Sequence, residues 1–124
     1  MRDTLLAAAS ESTNTLRLAD YQRGVHETAV AHGWWDQPRA VLEALALVHA
    51  EISEAVEEYR IDNANLADVR RSDTGKPEGF GVELADAIIR ILDLCEHLGI
   101  DMETLLTEKN EYNRTRPYRH GKLA

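Results

Sequence analysis

Two carboxylate pairs stand at helical spacing in this chain, Glu51 with Glu54 and Glu83 with Asp86. Residues three apart on a helix share a side, with Cβ atoms roughly 5–6 Å apart. If two such helices pack antiparallel, four carboxylates converge on one point, and an all-oxygen set of that kind suits Mg²⁺ or Mn²⁺ rather than zinc. Taken alone, Glu51, Glu54 and Glu58 also read as a solvated line of charge, and Arg90 offers Glu83 and Asp86 a structural counter-ion. A third row, Lys109, Asn113 and Arg116, falls on one helical face. Lysine and arginine supply charge-assisted bonds to phosphate oxygens, although here they can also balance Glu108 and Glu111 at a wet surface. A cation on one wall and a basic row on the other would suit a nucleoside polyphosphate.

The elements that must position these residues are helical. Residues 82–98 are apolar almost all round, apart from Glu96 and a narrow stripe of Glu83, Asp86, Arg90, Asp93 and His97. A helix of that kind is buried, so it is expected to be the central one. A first helix is expected from about residue 15, ended by Gly33, with Gly24 weakening its continuity. The second is expected from Pro38 or Arg39 to Arg60, with a core face of Leu45, Val48, Ile52, Ala55, Val56 and Tyr59. Residues 61–81 show no sustained period, apart from room for a helical turn over 66–71. A fourth helix over 102–116 is capped by Asp101 and stopped by Pro117, before an extended tail. With no strand alternation, the fold is expected to be all-α: a flexible arm over residues 1–14 and a four-helix domain over 15–124.

Bulk properties narrow the function. A chain of 124 residues with 44% hydrophobic content suits one domain. The formal charge of −8 argues against a nucleic-acid polymer as partner, because such binding rests on a cationic surface. From Lys109 onward the balance reverses, with five basic residues against Glu111. Cys95 is the only cysteine and reads as a small core hydrophobe rather than a nucleophile. No run approaches the ~18 apolar residues of a membrane span, and the apolar patch near the N-terminus is too short for a signal peptide. A cytoplasmic protein with no membrane partner is the expectation.

The order Glu51-x-x-Glu54, a loop, Glu83-x-x-Asp86, then Lys109-x-x-x-Asn113-x-x-Arg116-Pro117-Tyr118 resembles the all-α nucleoside triphosphate pyrophosphohydrolases, the MazG-like superfamily. The resemblance covers roughly residues 33–122 and includes Gly33-Trp34-Trp35-Asp36, Lys76-Pro77-Glu78-Gly79-Phe80 and Arg116-Pro117-Tyr118-Arg119-His120-Gly121-Lys122. It implies a four-helix bundle completed by a second copy, as a homodimer or a tetramer, an assembly that the largely apolar helix also favours. It implies hydrolysis of a (d)NTP to (d)NMP and pyrophosphate, in control or cleansing of the nucleotide pool.

Carried over by residue, the resemblance makes Glu51, Glu54, Glu83 and Asp86 the Mg²⁺ ligands, with Mn²⁺ as a substitute. Glu51 or Glu54 would activate water, and Lys109, Asn113 and Arg116 would hold the phosphates. Some members carry a further acid where this chain has Ala50, which leaves the number of metals per site open. Glu58 and Asp93 lie within two turns of the acidic pairs and, with Tyr118 and His120 near the basic row, are candidates for an outer layer of the site. Trp34 and Trp35 have two readings, stacking on the base or burial at a subunit contact. The competing function is a non-catalytic helical module that self-associates and uses its acids only as ion-pair partners.

Overall fold

The computed structural model describes residues 16–121, with side chains described as far as Arg119. The expected arm over 1–14 therefore lies outside the described residues, as do the side chain of His120 and all of Lys122. Helix α1 spans Leu18–Ala31, α2 spans Val41–Ile61, α3 spans Phe80–Leu98 and α4 spans Met102–Thr115. Two short strands, β1 (Arg70–Arg71) and β2 (Pro77–Glu78), lie between α2 and α3, and a 3-10 turn, Tyr118–Gly121, follows α4. The chain is mostly helical, as the periodicity requires.

Helix α3 is central, packed between α2 and α1. Its end and that of α1 close in the same way. Gly33 and Gly99 adopt left-handed backbone at φ 85° and 72°. Trp34 N then donates to Ala29 O, and Ile100 N to Cys95 O, the six-to-one bond that satisfies orphan carbonyls at a helix C-terminus. Gly24 does not interrupt α1; it is buried within it. Asp101 caps α4 by accepting from Thr104 N at 3.1 Å. Glu103 ties that end to α1, accepting from Ala19 N at 3.2 Å and pairing with Arg17.

Four local expectations are corrected. Helix α2 begins at Val41 rather than at Pro38 or Arg39, because Ala40 keeps extended backbone (ψ 139°) as its N-cap, while the Arg39 side chain turns back to donate to Trp34 O at 3.3 Å. Residues 66–71 form no helical turn. Asp68 N instead closes a turn onto Asn65 O, and the chain continues into an antiparallel ladder pairing Arg70 with Glu78 and Arg71 with Pro77. Gly79 follows at φ +139°, where a Cβ would come within 2.9 Å of Asp68 O, so only glycine fits where the ladder meets α3. After Pro117 the tail coils rather than extending.

The core is the fourth correction. Of the face expected on α2, Ala55 is buried, but Leu45, Ile52, Val56 and Tyr59 are exposed. Helix α2 instead buries Ala44, Glu51 and Ala55. Helix α3 buries Ala87, Leu92, Leu94 and Cys95 but exposes Ile88 and Ile89. The reason is geometric: among the described residues only α1 and α2 pack extensively on α3, too few to cover a helix that is apolar almost all round.

Candidate metal centre

Along α2 and α3 the register is antiparallel. Glu51 meets Arg90, Asp86 and Glu83, while Glu54, one turn on, meets Glu83. One carboxylate oxygen from each of Glu51, Glu83 and Asp86 lies within 4.8 Å of the others. Opposite ligands of an octahedral Mg²⁺ lie about 4.2 Å apart, so a small contraction would bring this set onto one ion. Glu51 is 8% exposed, and its Oε1 accepts from Arg90 Nε at 2.8 Å. Arg90 thus pairs with Glu51 and also bears on Asp86, while the acids outnumber the cations around them.

The electrostatics carry the strain of that imbalance. Glu83 Oε2 is buried and no donor among the described residues reaches it. Desolvation, then proton sharing with Glu54 and Glu51, then the charges of Glu54 and Asp86, push the Glu83 carboxyl up to about 7. Asp86 is also raised, by desolvation and the charge of Glu51, against the opposing charges of Arg90 and Lys76. A buried carboxylate with no donor is costly, and a divalent cation bound by oxygens removes that cost. The residues fit an oxygen-ligated divalent ion.

A pH dependence follows. A carboxyl whose folded pKa is raised stabilises the protein fully below its unfolded pKa and loses that contribution as pH rises through the folded one. Both raised acids therefore lower the stability of the metal-free protein as pH climbs, for Glu83 from about 4.5 to about 7 and most steeply between those two values. Thermal melts in EDTA across that range are expected to show the decline. Saturating Mg²⁺ is expected to flatten it, and a metal-free melt that rises with pH would contradict the assignment.

A cavity of about 260 Å³ adjoins the acids. Glu51 and Asp86 line it together with Val25 and Ala29 of α1 and with Trp34 and Arg39 of the connector between α1 and α2. Trp35 fixes that connector: its Nε1 donates to Asp93 at 2.9 Å, and its ring stacks on His97 at 4.0 Å. His26 Nδ1 approaches the same Asp93 oxygen at 2.7 Å. Asp93 therefore anchors Trp35 and His26, although it also borders the cavity. Trp34 is 54% exposed, and the Arg39 guanidinium lies 5.5 Å from the ring centroids of both tryptophans.

The structure brings together Glu51, Glu83 and Asp86, with Glu54 beside Glu83 but outside that set, and it places Trp34 on the same cavity. It does not bring the basic row there. Lys109 and Arg116 sit over the Tyr112 ring of α4, at 4.9 and 5.7 Å, Asn113 is exposed, and none of the three borders the cavity. Tyr118 is exposed, with Arg119 over its ring. Glu58 is held by Arg70 of β1 at 2.8 Å and supports the ladder.

Two residues escaped the sequence reading. Arg39 had a faint signal, a cation just beyond an aromatic pair and a proline. Lys76 was read only as the first residue of the stretch 76–80, and its role became visible only when the ladder brought its charge to bear on Asp86. Cys95 is buried, and that burial pushes its thiol up. Comparison with protein-family models, with characterised proteins and with solved structures gives no match for the chain.

Proposed function

We propose that this chain is a Mg²⁺-dependent nucleoside triphosphate pyrophosphohydrolase of the MazG-like kind, converting a (d)NTP to (d)NMP and pyrophosphate within the cytoplasmic nucleotide pool. The observation that carries the reading is the donorless, buried Glu83 oxygen inside a converging set of carboxylates. Glu51, Glu54, Glu83 and Asp86 would hold Mg²⁺ or Mn²⁺. When bound, the ion supplies neutralisation of phosphate charge and a lowered pKa for water. Arg90 keeps one Glu51 oxygen engaged and so fixes its rotamer. Glu54 is exposed and has no cationic partner among the described residues, which suits it to take the proton of the attacking water.

Lys109, Asn113 and Arg116 would stabilise the departing pyrophosphate. Since they lie away from the cavity of their own chain, a second copy would supply them. The uncovered apolar residues of α2 and α3 support a homodimer, or a tetramer built from dimers. No helix among the described residues is long and apolar enough to cross a membrane.

Pyrophosphate release from a panel of ribo- and deoxynucleoside triphosphates with Mg²⁺, beside a Glu54→Gln control, tests the activity. Release that disappears in the control is expected, and no release from any nucleotide by a folded protein would overturn it. The exposed apolar residues of α2 and α3 also fit a second reading, a non-catalytic self-associating module. Such a module gains no thermal stability from Mg²⁺ with nucleotide, whereas an enzyme with this site does.

A further inference from the structure

The Arg39 side chain is only 15% exposed, yet its charge is poorly matched. Its contacts are a bond to Trp34 O at 3.3 Å, an ion pair with Glu43 at 3.6 Å and the two tryptophan faces. A guanidinium carries five N–H donors in a rigid fork, so among the described residues most of this one's capacity goes unused beside a cavity it lines. Trp35 is pinned by Asp93 and His97, which holds the connector and preorganises the fork. Trp34, in the same lining, is 54% exposed, with the Arg39 guanidinium beside its ring.

We infer that Arg39 is a specificity-determining residue that reads a 6-oxopurine base, guanine or hypoxanthine, stacked on Trp34. A fork of parallel donors matches two adjacent acceptors, and arginine meets the O6 and N7 atoms of guanine in this bidentate manner. Adenine presents an amino donor beside N7 and leaves one arm of the fork facing a donor. A two-ring base also covers more of an indole face than a pyrimidine does, and stacking holds it without choosing its identity. The acids and the Arg39–Trp34 pair border one cavity, so a single nucleotide can engage both. This assignment rests on the cavity accepting a nucleotide, as the proposed function requires, but not on hydrolysis.

The test uses binding without metal and turnover with it. Quenching of tryptophan fluorescence by dGMP, dIMP and dAMP is measured in EDTA for the wild type, Arg39→Ala and Arg39→Lys, each checked for helical content by circular dichroism. Wild-type protein is expected to bind dGMP and dIMP about tenfold or more tightly than dAMP. That preference should collapse in both variants, because lysine keeps the charge but loses the fork. In turnover, the dGTP to dATP ratio of kcat/KM should fall in parallel. Equal binding of the three monophosphates by the wild type, or an equal loss for all of them in Arg39→Lys, would overturn the base assignment. Selective binding without pyrophosphate release would overturn the hydrolase reading and leave the base assignment standing.

Discussion

Glu83→Gln is expected to raise the melting temperature of the metal-free protein and to cut pyrophosphate release sharply. Most substitutions at a partly buried position destabilise, so the sign is diagnostic. The carboxyl stands among Glu51, Glu54 and Asp86, with one buried oxygen that no donor reaches. An amide of the same shape removes one of the crowded charges and adds an N–H able to donate to Glu51 or Glu54. Relieving one such group is worth about 1–2 kcal/mol, or about 5–10 °C in a domain of this size. The same change removes a charged metal ligand and should lower kcat/KM by about a hundredfold to a thousandfold. Added Mg²⁺ should then stabilise the variant far less than the wild type. Differential scanning fluorimetry with and without Mg²⁺, alongside the release assay, checks all three effects. A variant that is less stable without metal and still active would remove Glu83 from the site. Stability given up for function is the usual mark of a working site.

The second large effect concerns assembly. Ile88 is 55% exposed and Ile52 is 44% exposed, on α3 and α2 respectively. In an isolated chain, aspartate at such positions changes stability by at most about 0.5 kcal/mol. Between two copies it buries a charge without a partner, at a cost of about 3–5 kcal/mol. Ile88→Asp is therefore expected to raise the dissociation constant of a dimer at least a hundredfold, by about 1.4 kcal/mol for each factor of ten. Light scattering coupled to size exclusion should show the protein shifting from a multiple of 13.9 kDa to that mass. Turnover should fall with it, because Lys109, Asn113 and Arg116 would no longer reach the acids. An Ile88→Asp protein with unchanged mass and turnover would show that this face is not an interface; Ile52→Asp provides the same test from α2.

The helices were legible in the sequence because their punctuation is local. Gly33, Gly99, Asp101 and Pro117 act through bonds or steric clashes spanning a few residues, and each sits within a residue or two of an observed boundary. The convergence of Glu51 and Glu54 on Glu83 and Asp86 was legible for a related reason: i, i+3 spacing fixes one side of a helix before packing is known. The core of α2 was misread because periodicity shows which residues are apolar, not what covers them. Leu45, Ile52 and Val56 share a face, yet α2 turns Ala44, Glu51 and Ala55 inward.

The basic row illustrates the same limit. Its spacing places Lys109, Asn113 and Arg116 on one side of α4 but says nothing of where α4 docks, which Glu103 and Arg17 decide at the opposite end of the helix. Arg39 and the ladder at Arg70 and Glu78 depend on contacts across the fold. No window of sequence contains them.

The central claim is that the carboxylates of α2 and α3 hold a divalent cation. Titration of the metal-free protein with Mn²⁺, followed by electron paramagnetic resonance, reads that directly. At least one tightly bound ion per chain is expected in the wild type, displaced by excess Mg²⁺ and missing in Glu83→Gln. A folded wild-type protein that leaves all the Mn²⁺ in solution, or a Glu83→Gln variant that binds it equally well, would contradict the claim.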